Sequence, residues 1–333
     1  MGESNSANIN DYYVGVDFGG TKILSGVFDQ KLECLGTTKI STKAYRGTDA
    51  VVARIVRCIL EAVDECDLNI SNIKAVGIGA PGAVDTSNGE VIFAPNLGWQ
   101  NVPLKKELEK VLNVPVFLDN DCNVNTLGVY EVEFDRKPSV LIGVFIGTGI
   151  GAGIIINGEL YSGFNKTAGE VGHIVIDIDG PKCGCGNKGC LEAFASRSAI
   201  VKKIRQAIDK GETTILTEIA SDEIDDIKSG TLRKAAKRGD ELVIKVVREA
   251  AFYIGVAMSN LINIFSPEVL VLGGGVIEAL EKFMMPDILR TIKDYAFPGT
   301  LKNVKIETST LGDNAGIIGA AVLAKNSVNI SQP

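Results

Sequence analysis

The sequence predicts an α/β fold built as two related domains. Apolar runs with the length of strands alternate with stretches of helical spacing in both halves of the chain, an order typical of α/β proteins. The chain also repeats one device: residues 17–22 (DFGGTK) and 147–151 (GTGIG) are both turns of glycine and threonine between apolar strands. Two copies of this device indicate two related domains that face each other across a cleft.

In the first half, each element rests on a local pattern of apolar residues. Residues 48–66 have apolar side chains at helical spacing on one face, with Thr48 or Asp49 as a possible cap. A short helix over 104–112 is predicted after Pro103. Strands are predicted where short apolar runs end in turn residues, in the segments YYVGVDF, ILSGVFD, CLGTTKIST, IKAVGIGA and VPVFLDND.

The second half repeats this alternation. Residues 139–161 predict two apolar strands around a glycine turn, and Asn157-Gly158 is a strong signal for a hairpin. Residues 242–265 are mostly apolar and predict a long buried helix. The remaining predicted elements are a helix over 198–208, a strand and turn in EVLVLGGGV, a strand in VKIETST and a closing helix over 316–325.

Length and composition restrict the functions that the chain can have. It has 333 residues, with 34 Lys+Arg against 41 Asp+Glu and a formal net charge of −7. A net negative chain is a poor candidate for sequence-independent nucleic acid binding, which depends on neutralising phosphates. No apolar run reaches the roughly 20 residues that span a bilayer, and the polar first dozen residues do not resemble a secretion signal. We therefore expect a cytoplasmic protein whose partners include neither nucleic acid nor membrane.

Metal-binding residue types are concentrated in one segment. The cluster combines the chain's single histidine with three of its seven cysteines: His173, Cys183, Cys185 and Cys190. An odd number of cysteines without a secretion signal argues against a disulfide framework. One imidazole and three thiolates suit tetrahedral Zn²⁺ at a closed site with no coordination position left for water. The sequence therefore predicts a structural zinc ion that holds His173 and the nearby Glu170 and Glu192 in place.

The two glycine turns suit phosphate binding, although one such turn alone would more often close an ordinary hairpin. Glycine lets backbone N–H groups approach a phosphate, threonine adds a hydroxyl donor and lysine adds a positive charge. Neither turn is a Rossmann or Walker loop, because each is followed by a strand and not by a helix. A carboxylate beside such a turn would repel an anion unless Mg²⁺ lay between them, so Asp17 is predicted to act on Mg²⁺ through water.

Two choices stay open on the residues alone. A reaction at a bound phosphate needs a group that accepts a proton, and Asp17, Asp119 and Asp121 are all candidates that could equally be cap or turn acids. Trp99, the only tryptophan, could stack on a ligand, although a single tryptophan more often packs in a core or a loop.

Several motifs occur together in one order, namely DFGGTK at 17–22, GIGAPG at 77–82, NLGW at 96–99, DND at 119–121, GTGIGAG at 147–153, AGEVGH at 168–173 and CGCGNKGCLE at 183–192. In this combination the chain resembles the ROK family of bacterial glucokinases, related sugar kinases and some repressors, over about residues 12–325. The resemblance implies a two-domain fold of the sugar kinase and actin-like ATPase type, with a cleft between the domains. It also implies an ATP-dependent hexose kinase that uses Mg·ATP, carries a structural zinc ion and assembles as a homodimer or homotetramer.

The resemblance completes the expected domain plan. Residues 1–11 form a tail, and residues 12–135 form an N-terminal α/β domain that a C-terminal helix over 315–326 joins. Residues 136–314 form a C-terminal α/β domain that contains the zinc-binding loop.

The resemblance further assigns roles to matching positions. Asp121, the second acid of the DND motif, matches the catalytic base. The substrate-binding set is Gly82, Asn96, Asn120, Asp121, Glu170, His173 and Glu192. The nucleotide set is Asp17, Gly19, Gly20, Thr21 and Lys22 in the first turn, Gly147, Thr148, Gly149 and Gly151 in the second, and Gly273, Gly274 and Gly275, which match the loop under the adenosine. Cys122 departs from the more familiar alanine after the base, a small change from which we infer nothing.

The expected reaction is transfer of the γ-phosphate of ATP to the 6-hydroxyl of glucose. The candidate sugar ligands include no lysine or arginine, which favours a neutral polyhydroxylated ring over an anionic one. The segment GAPGAVD followed by NLGW resembles the glucokinases of the family more than its fructokinases. An N-acetylmannosamine kinase or a fructokinase is the alternative within the class. A sugar-sensing repressor is the alternative from another class, and it is disfavoured because the sixteen residues before Asp17 are too few for a DNA-binding domain.

Overall fold

A computed structural model describes residues 11–219 and 227–330 of the chain. The chain divides into two compact units. The first takes in the described residues up to Arg136, the short segment Ser162–Ala168 and the chain from Asp313 onward, and the second takes in Lys137–Tyr161 and Gly169–Gly312. The tail predicted over 1–11 lies outside the described residues except for Asp11, whose carboxylate pairs with Lys74 at 3.1 Å.

The first unit is organised around a five-stranded sheet. Its elements are β1 (Tyr12–Phe18), β2 (Lys22–Phe28), β3 (Cys34–Ser41), α1 (Thr48–Asp64), β4 (Ile73–Ala80), β5 (Ala83–Asp85), β6 (Glu90–Ala94), β7 (Trp99–Val102), α2 (Leu104–Leu112), β8 (Val116–Asn120) and α3 (Asp121–Val132). The sheet order is β3-β2-β1-β4-β8, with β1 antiparallel to β2 and parallel to β4. Strands β5, β6 and β7 form a separate small sheet.

The second unit repeats this arrangement. Its elements are β9 (Val140–Ile146), β10 (Ile150–Ile156), β11 (Glu159–Leu160), α4 (Glu192–Ala195), α5 (Arg197–Asp209), α6 (Leu216–Ile219), α7 (Ser229–Lys237), α8 (Glu241–Phe265), β12 (Val269–Gly273), α9 (Gly275–Tyr295) and β13 (Lys305–Thr308). The sheet order is β11-β10-β9-β12-β13, again with an antiparallel pair joined by a glycine turn and a parallel neighbour, β12, on the other side of the first strand. The repeated device predicted from the sequence therefore corresponds to a repeated sheet topology.

The last helix, α10 (Asn314–Ile330), packs against the sheet of the first unit and is longer than the predicted 316–325. Its backbone approaches β1 and β4 so closely that a Cβ at Gly15 or Gly77 would collide with carbonyl oxygens of Ile317 or Ala320. Alanine and glycine on the helix and glycine on the strands make this approach possible. The helix also packs along α3 and so contributes to the support of the residues at the start of α3.

Each unit has its own apolar core. In the first unit, α1 and α2 cover one face of the sheet with buried residues such as Ile55, Ile59 and Leu108. In the second, the core joins the sheet to helices α5, α8 and α9, and the predicted long helix is largely buried. No helix in the two described stretches is long and apolar enough to cross a lipid bilayer.

Candidate active site and metal centre

The first glycine turn, Gly19–Thr21, connects β1 to β2 and is fixed from outside by Thr42. The Thr42 hydroxyl donates to the carbonyl of Gly19 at 2.6 Å, and the Thr42 N–H donates to the carbonyl of Thr21 at 3.0 Å. The N–H of Gly19 donates to the carbonyl of Lys22 across the turn. Thr21 itself is exposed. The turn is thus held in shape by other residues while the Thr21 side chain remains accessible, as a phosphate-binding turn requires.

An ion network lies beside this turn. The Lys22 ammonium is 3.5 Å from the Asp17 carboxylate and also pairs with Asp313, which accepts from Lys39 at 3.1 Å. Burial raises the pKa of Asp17 despite the nearby Lys22. Burial alone would raise the pKa of Asp313 as well, but hydrogen bonds from Lys22 and Lys39 outweigh it and lower that pKa. The Lys22 ammonium is therefore already paired with two carboxylates, those of Asp17 and Asp313. Of these two, only Asp17 lies where the surroundings disfavour its negative charge.

The Asp17 side chain fits against the start of α10 because the residue there, Gly316, has no side chain. A Cβ at Gly316 would lie about 3 Å from the Asp17 side chain, at a contact that real Cβ atoms essentially never make. A partly buried carboxylate whose charge is disfavoured by burial is suited to meeting a cation. The surroundings of Asp17 fit a nearby cation such as Mg²⁺, and its binding through water stays a prediction.

The DND segment lies at the carboxyl end of β8, where the strand gives way to α3. Asn120 caps the helix, because its Oδ1 accepts from the N–H of Cys122 at 2.9 Å. Its Nδ2 donates to the carbonyl of Gly82 at 3.0 Å, which joins it to the turn after β4. Gly82 has φ +85°, and a Cβ there would collide with the carbonyl of Phe93. The three predicted substrate-binding positions Gly82, Asn120 and Asp121 thus lie together at one edge of the sheet.

The two acids of this segment have different environments. Asp119 is 7% exposed and accepts from the N–H of Asn120 at 2.7 Å and from Nδ2 of Asn123 at 2.8 Å. Burial raises the pKa of Asp119. Asp121 is only half-buried, and its Oδ1 accepts from the N–H of Cys122 at 2.8 Å within the first turn of α3. The geometry favours Asp121 over Asp119 as the acid that a substrate can reach.

Asn96 and Trp99 lie close in sequence but differ in exposure. Asn96 is exposed, and its Cβ is 3.4 Å from the position that a Cβ would take at Gly20 of the first turn. Trp99 is 2% exposed and its ring lies 5.2 Å from that of Phe18, centroid to centroid. Trp99 is therefore a core residue. Of the two roles that the sequence left open for it, the structure shows packing in the core and excludes stacking on a sugar.

The second glycine turn, Gly147–Gly149, connects β9 to β10 and is held by residues of α4 and α5. The N–H of Ile150 donates to Oε2 of Glu192 at 2.9 Å. The Arg197 guanidinium donates to the Thr148 hydroxyl at 2.6 Å, and the Arg197 N–H donates to the carbonyl of Gly147 at 2.9 Å. Glu192, predicted as a sugar ligand, thus also supports a predicted phosphate turn. Gly151 follows within β10.

The predicted metal ligands converge. The ligand atoms of His173, Cys183, Cys185 and Cys190 all lie within 4.8 Å of one another. The sulfurs of Cys185 and Cys190 are 3.8 Å apart, the separation expected of two thiolates on one tetrahedral zinc ion with Zn–S of about 2.3 Å. Nδ1 of His173 is 3.7 Å from the sulfur of Cys183, which also fits such a tetrahedron. The four residues therefore fit a structural zinc ion.

The loop that brings these ligands together depends on two glycines. Gly186 has φ +97° and Gly189 has φ +72°, conformations that other residues rarely adopt. Gly184, in the same loop, has no positive φ. The N–H of Cys183 donates to the carbonyl of Asn187 at 2.8 Å and closes the loop.

The cluster also borders the candidate sugar ligands. Nε2 of His173 lies 3.8 Å from the Glu170 carboxylate, an arrangement in which an outer carboxylate orients a metal-bound imidazole. Glu192 begins α4 two residues after Cys190. Metal ligands and candidate sugar ligands are therefore adjacent in the same unit.

The glycine run after β12 forms the start of a long helix. Gly273 ends β12, Gly274 has φ +86°, and Gly275 is the first residue of α9. A Cβ at Gly274 would come within 2.9 Å of the backbone of Ile146, so the run passes close to the end of β9. Ser229 faces the same point with a buried hydroxyl that has no hydrogen-bond partner among the described residues.

The structure thus places the predicted residues in two groups. Asp17, Gly19, Gly20, Thr21, Lys22, Gly82, Asn96, Asn120 and Asp121 belong to the first unit, and the second turn, the metal ligands, Glu170, Glu192 and the glycine run belong to the second. Sequence reasoning missed Asp313 and Arg197. Asp313 is 291 residues from Lys22, and Arg197 is 49 residues from Thr148, so no local pattern relates them.

Comparisons with known proteins identify the family of this chain. The model of the ROK family matches residues 13–327. The glucokinase of Thermotoga maritima is 35% identical over 317 residues, which cover 95% of this chain and 98% of that protein. A putative xylose repressor of a Caldicellulosiruptor species is 31% identical over 93% of this chain and 77% of its own length.

A solved structure extends the comparison to the fold. The ROK family glucokinase of Streptomyces griseus, crystallised with glucose and AMPPNP, has a TM-score of 0.83 and 33% identity, and the match covers 95% of this chain and 99% of that one. The predicted fold class, the sugar kinase and actin-like ATPase type, is thereby confirmed. With a family model and full-length relatives in agreement, this chain belongs to the ROK family.

Proposed function

We propose that this protein is a glucokinase that transfers the γ-phosphate of ATP to the 6-hydroxyl of D-glucose, with Asp121 as the general base. Family membership and glucokinase relatives aligned over nearly the whole chain make it an ATP-dependent sugar kinase. The observation that carries the assignment of the base is the position of Asp121. It is half-buried at the end of a strand, while Asp119 is enclosed and Asp17 is paired with Lys22.

Asp121 accepts the proton of the sugar hydroxyl as the oxygen attacks the γ-phosphorus in line and ADP leaves. Its place in the first turn of α3 favours a negative charge there. Asn120 keeps the start of α3 joined to the turn at Gly82, which fixes where the carboxylate lies. Catalysis in such a reaction is mostly positioning and stabilisation of charge.

The nucleotide phosphates are bound by the two glycine turns. Thr21 and Thr148 offer hydroxyl donors, and the backbone N–H groups of both turns add to them. Asp17 would hold Mg²⁺ through water, and the ion would offset the charge of the phosphates. The run Gly273–Gly275 lies at the start of α9 and is the loop that we expect under the adenosine.

The sugar is bound by Asn96, Asn120, Glu170, His173 and Glu192. Carboxylate and amide oxygens accept hydrogen bonds from hydroxyl groups, and the set contains no cation for an anionic substrate. A site built from polar contacts rejects a sugar that lacks a matching hydroxyl, since buried partners are then left unpaired. A zinc ion held by His173, Cys183, Cys185 and Cys190 would have no open coordination position, so its role would be structural.

An N-acetylmannosamine kinase or fructokinase is the alternative acceptor assignment, and a sugar-sensing repressor is the alternative from another class, favoured by the repressor relatives. The kinase is preferred because both phosphate turns and an accessible acid are in place. The enzyme is expected in the cytoplasm as a homodimer or homotetramer, and light scattering measures the assembly.

The test is a coupled assay of ADP release over a panel of glucose, N-acetylmannosamine, fructose, mannose and allose with saturating Mg·ATP. We expect kcat/KM to be highest for glucose. A higher value for another sugar would overturn the glucokinase assignment and leave the kinase intact. Absence of turnover with every sugar, and with polyphosphate in place of ATP, would favour the repressor.

A further inference from the structure

We propose that Arg197 is a phosphate-binding residue of the nucleotide site, which contacts the phosphates of ATP and orients the Thr148 hydroxyl toward them. The inference rests on the proposed function, because it takes the turn Gly147–Gly149 to bind phosphate. It adds a cation that the sequence motifs do not contain.

The start of α5 is attached to the second turn at three points. The Arg197 guanidinium reaches the Thr148 hydroxyl at 2.6 Å, and the Arg197 N–H reaches the carbonyl of Gly147 at 2.9 Å. The Ser198 hydroxyl donates to the carbonyl of Thr148 at 2.9 Å. Ser196 caps the helix by accepting from the N–H of Ala199 at 3.1 Å, which fixes the residue before Arg197. The guanidinium therefore has a defined position against the turn.

The direction of the hydrogen bond between Arg197 and Thr148 determines what the hydroxyl can do. A guanidinium is only a donor, so Oγ1 of Thr148 must be the acceptor. The single proton of that hydroxyl is then available for another acceptor, and in the part of the chain that the structure describes it has no partner. A phosphate oxygen is the acceptor that a turn of this kind would meet, and donation from a cation strengthens the hydroxyl as a donor.

The charges of the two turns point to the same role. Lys22 at the first turn is already paired with Asp17 and Asp313. At the second turn, no carboxylate among the described residues lies within ion-pair distance of the Arg197 guanidinium, and Glu192 is bonded to Ile150. Arg197 is half-exposed, and one bond to Thr148 leaves further N–H donors in a fork that matches phosphate oxygens. Arg197 is therefore the cation whose charge is free to offset that of the nucleotide.

The alternative role for Arg197 is only to fix the turn. Loss of a purely structural bond would weaken the binding of every ligand of the unit, including adenosine. Loss of a phosphate contact would weaken only ligands that carry phosphates. The two roles are therefore separated by comparing ligands that differ in phosphate number.

The experiment is calorimetric titration of adenosine, ADP and AMPPNP, with Mg²⁺, into the wild type and the Arg197→Ala, Arg197→Lys and Lys202→Ala variants. Lys202 is an exposed cation of the same helix and serves as the matched control. We expect Arg197→Ala to raise the Kd of ADP and of AMPPNP by about 10- to 100-fold, the range for a hydrogen bond to a charged group. We expect the Kd of adenosine to change by no more than about twofold. We expect Arg197→Lys to recover part of the loss, Lys202→Ala to change nothing, and added guanidinium to raise the kcat of Arg197→Ala.

Equal binding of ADP and AMPPNP by Arg197→Ala and the wild type would overturn the proposal, as would an equal loss for adenosine. A wild type that binds neither AMPPNP nor ADP would overturn the proposed function and this inference together. A wild-type enzyme that is active, with an unaffected Arg197→Ala variant, would overturn only the role of Arg197.

Discussion

Glu192 accepts the backbone N–H of Ile150 at 2.9 Å, and this bond joins the metal-binding loop to the second glycine turn. Glu192 lies two residues after Cys190, and a Cβ at Gly149 would collide with the Glu192 carboxylate, so a side chain there would displace this carboxylate. One carboxylate oxygen is thus committed to the turn. The other remains for the sugar contact proposed above, so this residue couples the proposed sugar and phosphate sites.

This coupling distinguishes two glutamates that the sequence treats alike. Glu192→Ala is expected to raise the KM of both ATP and glucose and to lower kcat/KM by about 10- to 100-fold, because it leaves the Ile150 N–H without its acceptor. Glu170→Ala is the matched control, since Glu170 faces His173 and not the turn. Its expected effect is on the KM of glucose alone. Steady-state kinetics with each substrate varied in turn check this, and identical profiles for the two variants would contradict it.

The metal cluster yields a prediction on composition and stability. Protein purified without added metal is expected to contain one zinc ion per chain, measured by elemental analysis. Cys185→Ser is expected to lower zinc content, the Tm and, by about tenfold or more, activity, because the loop that ends at Glu192 loses its anchor.

The control for that prediction is Cys34→Ser, which removes an exposed cysteine in the other unit. It should leave zinc content, Tm and activity unchanged. A fully active wild type with almost no zinc would show that the four residues have another role.

The sequence predicted those parts of the site whose partners are close along the chain. The four candidate metal ligands span 18 residues, and their residue types alone suit zinc. The two glycine turns and the strand ends were equally visible, because apolar runs mark the strands and glycine marks the turns. Helix α10 was predicted too short, since the polar residues at both of its ends interrupt the apolar pattern.

Partners that meet only after folding were not predictable. Asp313 precedes α10, and only the packing of that helix on the first sheet brings it to Lys22. Arg197 is one of many charged residues until α5 places it on Thr148. The burial of Trp99 likewise depends on Phe18 in a distant strand. These contacts are properties of the tertiary structure and cannot be deduced from the local spacing of apolar residues along the sequence.

Asp121→Asn tests the proposed base. The amide cannot accept the hydroxyl proton, so kcat is expected to fall by roughly 10²–10⁴, while the fold and the affinity for glucose stay nearly the same. Glu107→Gln, the same change of a carboxylate in the first turn of α2, is the matched control and should be fully active. The measurements are kcat, circular dichroism and glucose titration. A folded Asp121→Asn variant with the kcat of the wild type would rule out this assignment.

Asp17→Asn is expected to separate activity from stability. Burial raises the pKa of Asp17 in the folded protein. The ionised carboxylate therefore lowers the free energy of unfolding at neutral pH. The protein is more stable with Asp17 protonated, and this stability is lost as the pH rises through the folded pKa. The amide resembles that protonated form, so the Tm should stay equal or rise at pH 7, with the gain vanishing below about pH 4, the ordinary value for aspartate. Activity should fall by about 10- to 100-fold, because the outer ligand of Mg²⁺ is lost.

Asp313→Asn is the contrasting variant. Burial alone would raise the pKa of Asp313, but hydrogen bonds from Lys22 and Lys39 outweigh it and lower that pKa. The Asp313 carboxylate therefore stabilises the fold above its unfolded pKa, and its removal should lower the Tm at pH 7. Calorimetry from pH 4 to 8 with parallel kinetics decides the matter, and a fall in Tm for Asp17→Asn equal to that for Asp313→Asn would refute the assigned cost.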